Sequence, residues 1–263
     1  MFAGVAQLLD WLGLRPLVAR AASLAYPGQS FWVNERGQWV NQQANGTIVS
    51  PVIHVTPYRA YRQWVLDNWC WAYTPQPGDV ILDLGTGIGE EAVVFSKLIG
   101  RGKMFAVEAC PETYACLVET VRKSGLANVT PIHCAVGAED GSIKIGGGQS
   151  HLTASLFSGD GDAVPMRSVD SLVAQYGIEQ IDFFRTNIEG AERLMLPGMS
   201  KAATIIRNLC ISCHDFLADD GRGEEFRSKV AVNEWCRRNG FEILERPPSP
   251  PPSRDYVYAT KQL

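Results

Sequence analysis

The sequence predicts an α/β fold: a mostly parallel, seven-stranded sheet flanked by helices, with an aromatic-rich cap ahead of it. Three observations carry that prediction. From residue 79 onward, short β-branched runs alternate with helix-periodic runs, the pattern that builds a parallel sheet with helices on both faces. A glycine-rich turn joins the first of these strands to the helix after it. Six of the seven tryptophans (Trp11, Trp32, Trp39, Trp64, Trp69 and Trp71) fall before residue 75, together with Tyr58, Tyr61 and Tyr73. Composition therefore divides the chain at the turn-rich TPQPG (74–78) into a helical cap region, 1–77, and a sheet domain, 78–263.

The first 25 residues are apolar, with Val5, Leu8, Leu9 and Leu12 at helical spacing, yet Asp10, Arg15 and Arg20 interrupt every run. No run reaches the roughly 18 to 20 apolar residues that span a bilayer, and no signal-peptide pattern is present. A helix packed on the domain is predicted, with a second subunit, making a homodimer, or peripheral membrane contact as the alternatives. A soluble, cytoplasmic protein is expected.

In the sheet domain, DVILDLG (79–85) has the β-branched, apolar character of a buried strand, and EEAVVFSKLIG (90–100) that of a helix stopped by Gly100 and Gly102. KMFAVEA (103–109) is the next strand. PETYACLVETVRKSG (111–125) is a helix with proline in its first turn, an acid early, basic residues late and a closing glycine. VTPIHCAVG (129–137) makes the third strand, and GSIKIGGG with the Gly/Ser-rich stretch to about Ala163 a hairpin and mobile loop. VDSLVAQYG (169–177) is a short helix. IDFFRTNIEG (181–190) and NLCISCHDF (208–216) are two further strands with the short helix AERLMLPGM between them. EFRSKVAVNEWCRRNG (225–240) is an amphipathic helix, and FEILERP and DYVYATKQL are two closing strands around PSPPPS.

Hydrophobic residues make up 46% and charged residues 20% of the chain, enough to fold a core and unlike a disordered segment. The net charge is −4 and no basic cluster stands out, which removes the electrostatic basis for a nucleic-acid groove. Seven scattered cysteines fit free thiols in a reducing compartment. Cys210 and Cys213 form CxxC, but on a strand they face opposite sides and cannot share a metal or a disulfide.

Parallel sheets bind ligands at the carboxyl ends of their strands, near the point where strand order reverses. The loops after residues 85, 108, 135, 187 and 213 are therefore predicted to share one crevice. The turn Asp83-Leu84-Gly85-Thr86-Gly87-Ile88-Gly89 lets a ligand lie against bare backbone. Two nucleoside cofactors use such turns, nicotinamide dinucleotides and S-adenosylmethionine. A pyrophosphate wants the helix N-terminus free of anions, whereas here Glu90 and Glu91 occupy it. A sulfonium and an amino group tolerate acids, and Asp83 at the strand end suits them. Glu108 lies 19 residues beyond Gly89, where a carboxylate can accept from both ribose hydroxyls of either cofactor. Cys134, Ala135 and Val136, with Ala109, are placed to wall the adenine.

These motifs, chiefly DLGTGIG, GKMFAVEACPETYACL, AVGAEDG, RSVDSL and IEGAE, resemble the FkbM family of S-adenosylmethionine-dependent O-methyltransferases over roughly residues 79 to 216. The resemblance implies a Rossmann-like class I methyltransferase fold, S-adenosyl-L-methionine as cofactor and O-methylation of a hydroxyl on a sugar or natural product, hence a small-molecule or glycan acceptor. In the family IEGAE is preceded by Lys-Ile-Asp; here those places read Arg185-Thr186-Asn187, while Glu189 and Glu192 are retained. Asparagine in place of aspartate weakens any metal site, and none is predicted. Arg185 keeps the charge but presents a planar fork.

An alcohol is a poor nucleophile at neutral pH, so a base should assist it. His214, in CISCHDF, is the first candidate, with Asp215 as its orienting partner; Glu189 is the rival base, and Asn187 can hydrogen-bond the acceptor or the methionine moiety. His54, Tyr58, His151, Arg185 and Asp215 are candidates for holding the acceptor if the tryptophan-rich cap covers the crevice. The alternatives are an NAD(P)-dependent oxidoreductase and a non-catalytic cofactor-binding protein.

Overall fold

The computed structural model describes residues 13–145, 163–247 and 253–262. Val5, Leu8, Leu9, Leu12, Asp10, Trp11 and His151, the Gly/Ser-rich loop and most of the proline run lie outside the described residues.

Seven strands form the central sheet: β4 (Val80–Leu84), β5 (Lys103–Glu108), β6 (Val129–His133), β10 (Ile181–Thr186), β11 (Ile206–Ser212), β12 (Glu242–Leu244) and β13 (Tyr256–Thr260). Their order is β12-β13-β11-β10-β4-β5-β6. All neighbouring pairs from β11 to β6 are parallel, and β13 runs antiparallel to both β11 and β12. Strand order reverses between β4 and β10, which places the ligand crevice over their carboxyl ends.

Helices cover both faces. α3 (Glu90–Ile99) and α4 (Pro111–Lys123) pack with Ile81, Met104, Ala106 and Phe183. α5 (Val169–Tyr176) and α8 (Lys229–Arg238) pack with Leu82, Leu84, Val107 and Phe184 on the other side. The period-two alternation along each strand explains this division: Ile81 and Phe183 face one helical layer, Leu82 and Phe184 the other. Cys210 and Cys213 accordingly lie in opposite cores, and both thiols are free.

Ahead of the sheet, α1 (Arg15–Ala25) packs Ala19 and Ala22 against Phe31 and Trp39 of an antiparallel meander, β1 (Gln29–Val33), β2 (Trp39–Gln43) and β3 (Gly46–Ser50). These three strands are absent from the sequence-based prediction, because each is short and lacks clean alternation. The meander rests on α4, where Thr120 Oγ1 accepts from Val49 N at 2.9 Å and Ser124 Oγ from Thr47 N at 2.8 Å. α2 (Tyr58–Asn68) then brings Val65 and Trp69 into the core under the same face as α3. Among the described residues, no helix is long and apolar enough to cross a membrane.

Other differences are local. The predicted third strand breaks at Cys134, and its last two residues, β7 (Ala135–Val136), leave the main sheet to pair with β9 (Ala163–Arg167), which in turn pairs antiparallel with β8 (Gly141–Lys144). The strand predicted through residue 190 ends at Thr186, and the one predicted through residue 216 ends at Ser212, where His214 and Asp215 open the short helix α7 (Asp215–Asp219). The predicted helix after IEGAE is a single turn, α6 (Glu192–Met195), continued by a 3-10 turn.

Candidate active site

Two cavities open over the carboxyl ends of the central strands and meet at Asn187 and Glu189, which line both. The first, ≈ 740 Å³, is lined by Gly85, Gly87, Glu108, Ala109, Cys134, Ala135 and Val136 among others. It brings the loops after β4, β5, β6 and β10 together. The second, ≈ 1390 Å³, lies between Tyr61 and Trp64 of α2, the carboxylates Glu90 and Glu91, and Ser212, His214 and Phe216.

The glycine turn fits a ligand laid on backbone. Gly85 sits at φ +77°, and a Cβ there would stand 2.0 Å from the Asn187 carbonyl oxygen, so only glycine lets the turn after β4 meet the turn after β10. Gly87, at φ +65°, has nothing within 4 Å of where a Cβ would be, leaving open space over its backbone in the first cavity. Gly89 does not line the cavity; a Cβ there would meet Leu117 at 2.8 Å, so it serves the packing of α3 on α4. Thr86 is buried and donates to the Asp83 carbonyl at 3.2 Å, holding the turn's shape.

Glu108 ends β5 with its carboxylate already aimed. Oε2 accepts from Gly87 N at 2.9 Å and Oε1 from Cys110 N at 2.8 Å. Burial pushes this carboxyl up to about 7, against the pull of those N–H donors. A carboxylate fixed by two backbone donors and lining the first cavity retains acceptor capacity for a diol.

Asp83 and Arg185 are placed differently from the sequence-based expectation. They are register partners on adjacent strands β4 and β10 and point to the same face. Arg185 Nη1 donates to Asp83 Oδ1 at 2.8 Å and Nη2 to Glu91 Oε1 at 3.1 Å. The guanidinium also lies 4.0 Å from the Trp69 ring centroid, and Trp69 stacks on Tyr256 at 4.4 Å. Arg185 is 1% exposed, so it is a strut beneath the crevice and not a group that reaches an acceptor. Asp83 is buried as well, and its Oδ2 has no hydrogen-bond partner among the described residues. Burial raises the Glu91 carboxyl, and Arg185 offsets that only in part.

His214 is held between two carboxylates. Its Nδ1 is 2.8 Å from Glu192 Oε1 and its Nε2 3.7 Å from Glu189 Oε2. Burial would lower this imidazole, but Glu192 and Glu189 together hold it above its ordinary value. Glu192 is fully buried, and Ser228 Oγ donates to its Oε2 at 2.9 Å. Glu189, at φ +53° the only described non-glycine residue in the left-handed region, is turned toward the cavities by that strained backbone. Its carboxyl is raised by burial, with His214 opposing the shift.

Asp215, proposed from sequence to orient His214, instead accepts from Ser228 N at 2.8 Å and Lys229 N at 3.0 Å and caps α8. Glu192 fills the part assigned to Asp215. The signal for it was present in IEGAE, where Glu192 stands beside Glu189, but only the fold shows which of the two meets Nδ1. His54 and Tyr58 line a smaller neighbouring cavity with Glu90, and His54 Nε2 pairs with Glu90 at 2.9 Å. Burial lowers the His54 imidazole, while its hydrogen bond and charge contact with Glu90 outweigh that and raise it. Neither residue lines the larger cavity. Among the described residues, no three histidine, cysteine or acidic side chains converge as a metal site.

A Rossmann-like sheet with its reversal point under a glycine turn, and a carboxylate at the end of the next strand, defines a nucleoside-cofactor domain. The Methyltransferase FkbM domain model matches residues 83–243, more than half the chain; the chain belongs to that family, and its cofactor is S-adenosylmethionine. This decides between the two nucleosides that the glycine turn alone admits. A stretch of 87 residues is 33% identical to a protein-L-isoaspartate O-methyltransferase of Methanococcus aeolicus, and it covers 33% of this chain and 40% of that relative. Aeropyrum pernix fibrillarin with natively bound S-adenosyl-L-methionine superposes with a TM-score of 0.47 at 18% identity, over 88% of this chain and 98% of that one. A SAM-dependent methyltransferase from Aquifex aeolicus gives 0.44 at 17% identity, over 78% and 98%.

Proposed function

We propose that this methyltransferase transfers its methyl group to the oxygen of a hydroxyl, with His214 as general base and the larger cavity as the acceptor site. The observation that carries the proposal is the position of His214: Nδ1 bound by buried Glu192, Nε2 turned toward Glu189 at the junction of the two cavities. The cofactor, when bound, supplies an electrophilic methyl on a sulfonium sulfur. Gly85, Gly87 and Glu108 would hold its nucleoside against the first cavity, and Asn187 and Glu189 stand where the two cavities meet.

The work left to the protein is alignment and the handling of one proton. Glu192 fixes the ring so that Nδ1 keeps its proton and Nε2 carries the free lone pair, the tautomer a base needs. As the hydroxyl oxygen attacks, Nε2 accepts its proton, and the imidazolium formed is stabilised by Glu192 and Glu189. Glu189 can also orient the acceptor hydroxyl. The relative in Methanococcus aeolicus is named for transfer to oxygen, which agrees with this choice of nucleophile. A sugar or natural product fits an acceptor slot with aromatic walls.

The test is transfer of labelled methyl from S-adenosylmethionine to a panel of hydroxylated sugars and phenolic compounds, with the product's methyl located by mass spectrometry. O-methyl product that depends on His214 supports the proposal. Methyl found on nitrogen or carbon, or full turnover by His214→Ala, counts against it, and no transfer to any acceptor favours a binding protein without chemistry.

A further inference from the structure

Two cationic side chains, His214 and Arg222, line the acceptor cavity and two more, His54 and Arg185, lie beside it; three of the four are matched. His54, at its edge, pairs with Glu90 at 2.9 Å; Arg185, below it, with Asp83 and Glu91 at 2.8 and 3.1 Å; His214 with Glu192 at 2.8 Å. The fourth is Arg222, which lines the cavity from the turn after α7. Its guanidinium makes no hydrogen bond and no ion pair among the described residues; its charge is felt at Glu189, whose carboxyl it draws downward. Two of the neighbouring acids are engaged elsewhere. Asp219 is bound by Arg227 at 2.8 Å and by Arg254 at 2.7 Å, and Glu224 by Arg227 at 2.8 Å.

The aromatic residues of the same cavity also divide by availability. Trp69 is 1% exposed, stacked on Tyr256 and packed on Arg185, so it is a wall. Trp64 is 39% exposed, stacked on Tyr61 at 5.8 Å and edge-on to Trp69 at 5.7 Å. That arrangement fixes the Trp64 ring while leaving part of it open to the cavity. Phe216 lines the cavity from α7, 5.7 Å from the His214 ring. A rigid indole, the imidazole and an unpaired guanidinium thus line one space.

We infer that the acceptor is a ring-bearing hydroxyl compound that also carries a carboxylate or phosphate, its ring lying against Trp64 and its anionic group meeting Arg222. The inference rests on the methyl-transfer reading for the hydroxyl near His214, but the anion subsite stands on its own geometry. An arginine fork matches a carboxylate or a phosphate with two parallel donors, and the indole face supplies contact area without much loss of side-chain freedom. Arg222 is exposed, so solvent screens the attraction and the anion contributes selectivity more than bulk affinity.

Binding to enzyme saturated with S-adenosylhomocysteine, which has no methyl to give, tests the subsite apart from the chemistry. Three probes serve in calorimetric titration: 4-hydroxybenzoate, phenyl phosphate and the neutral 4-hydroxybenzamide. The two anions are expected to bind about tenfold tighter than the amide, with Arg222→Gln removing that preference and Trp64→Leu weakening all three. The stronger of the two anions identifies which acidic group the site prefers. Equal binding of amide and anions by the unaltered enzyme, or no saturable binding of either anion, would overturn the inference. So would an Arg222→Gln protein that keeps the anion preference but loses S-adenosylhomocysteine affinity, because Arg222 would then belong to the cofactor. Failure of methyl transfer in the presence of a clear anion preference would instead strike the O-methylation proposal alone.

Discussion

Replacing Arg185 by methionine keeps an unbranched apolar side chain of similar length between β4 and β10 but removes the charge that Asp83 and Glu91 share. Both carboxylates are buried, and Arg185 is their only ion-pair partner among the described residues. Breaking a buried pair by removing one partner costs about 3 to 5 kcal/mol, because the remaining charge is left uncompensated. At about 2 to 4 °C per kcal/mol for a domain approaching this size, the melting midpoint should fall by roughly 6 to 20 °C at neutral pH. The pH dependence carries the diagnostic sign. The Glu91 carboxyl is already raised by burial in the native protein, and loss of the guanidinium raises it further. An acid whose folded-state value is raised loses stability as pH rises through its titration, so the deficit of Arg185→Met is greatest at neutral pH and narrows on acidification toward the ordinary carboxylate range. Thermal melts by circular dichroism across that range measure both effects. A midpoint within about 2 °C of the native protein at neutral pH, or a deficit that widens on acidification, would refute the view of Arg185 as the strut of a buried ion triad.

Four further outcomes follow from the same geometry. Glu192→Gln should lower the titration of the His214 imidazole and shift the pH profile of turnover toward acid, read by NMR of the four histidines; an unmoved His214 signal would remove Glu192 as its positioning residue. Because the native imidazole is raised, turnover at constant saturating cofactor should climb as pH rises from neutral and the base loses its proton, and His214→Ala should abolish that limb while leaving cofactor affinity nearly intact. With Glu108 held at about 7, cofactor affinity should increase as pH rises through that value, since the ionised carboxylate is the stronger acceptor for ribose hydroxyls; calorimetry should find the dependence gone and affinity reduced in Glu108→Gln. Gly85→Ala should abolish cofactor binding, as its Cβ would lie 2.0 Å from the Asn187 carbonyl and its φ is +77°, the latter alone costing about 1 to 2 kcal/mol.

The central sheet and its nucleoside end were legible in the chain. The alternation of strands and helices from residue 79, the glycines at 85 and 87, the strand-end carboxylate at 108 and the wall at 134–136 are local patterns, each written in neighbouring residues, and the structure brings these positions to one cavity. A strand-end position also marked His214, and the resemblance to the FkbM family marked the IEGAE motif. The tertiary structure alone decided the partners of those groups. Asp83 and Arg185 are 102 residues apart in the chain, and only the register of β4 against β10 turns them from two crevice candidates into one buried pair. Asp215 is adjacent to His214 in sequence but faces the start of α8, whereas Glu192, 22 residues away, meets the imidazole. A short strand or a single helical turn leaves little periodic trace, so the meander of β1 to β3 and β9 were also invisible. Hydrophobic spacing records which face of an element is buried; it does not record which charged groups from distant elements will share that face, and the electrostatics of this site depend on that pairing.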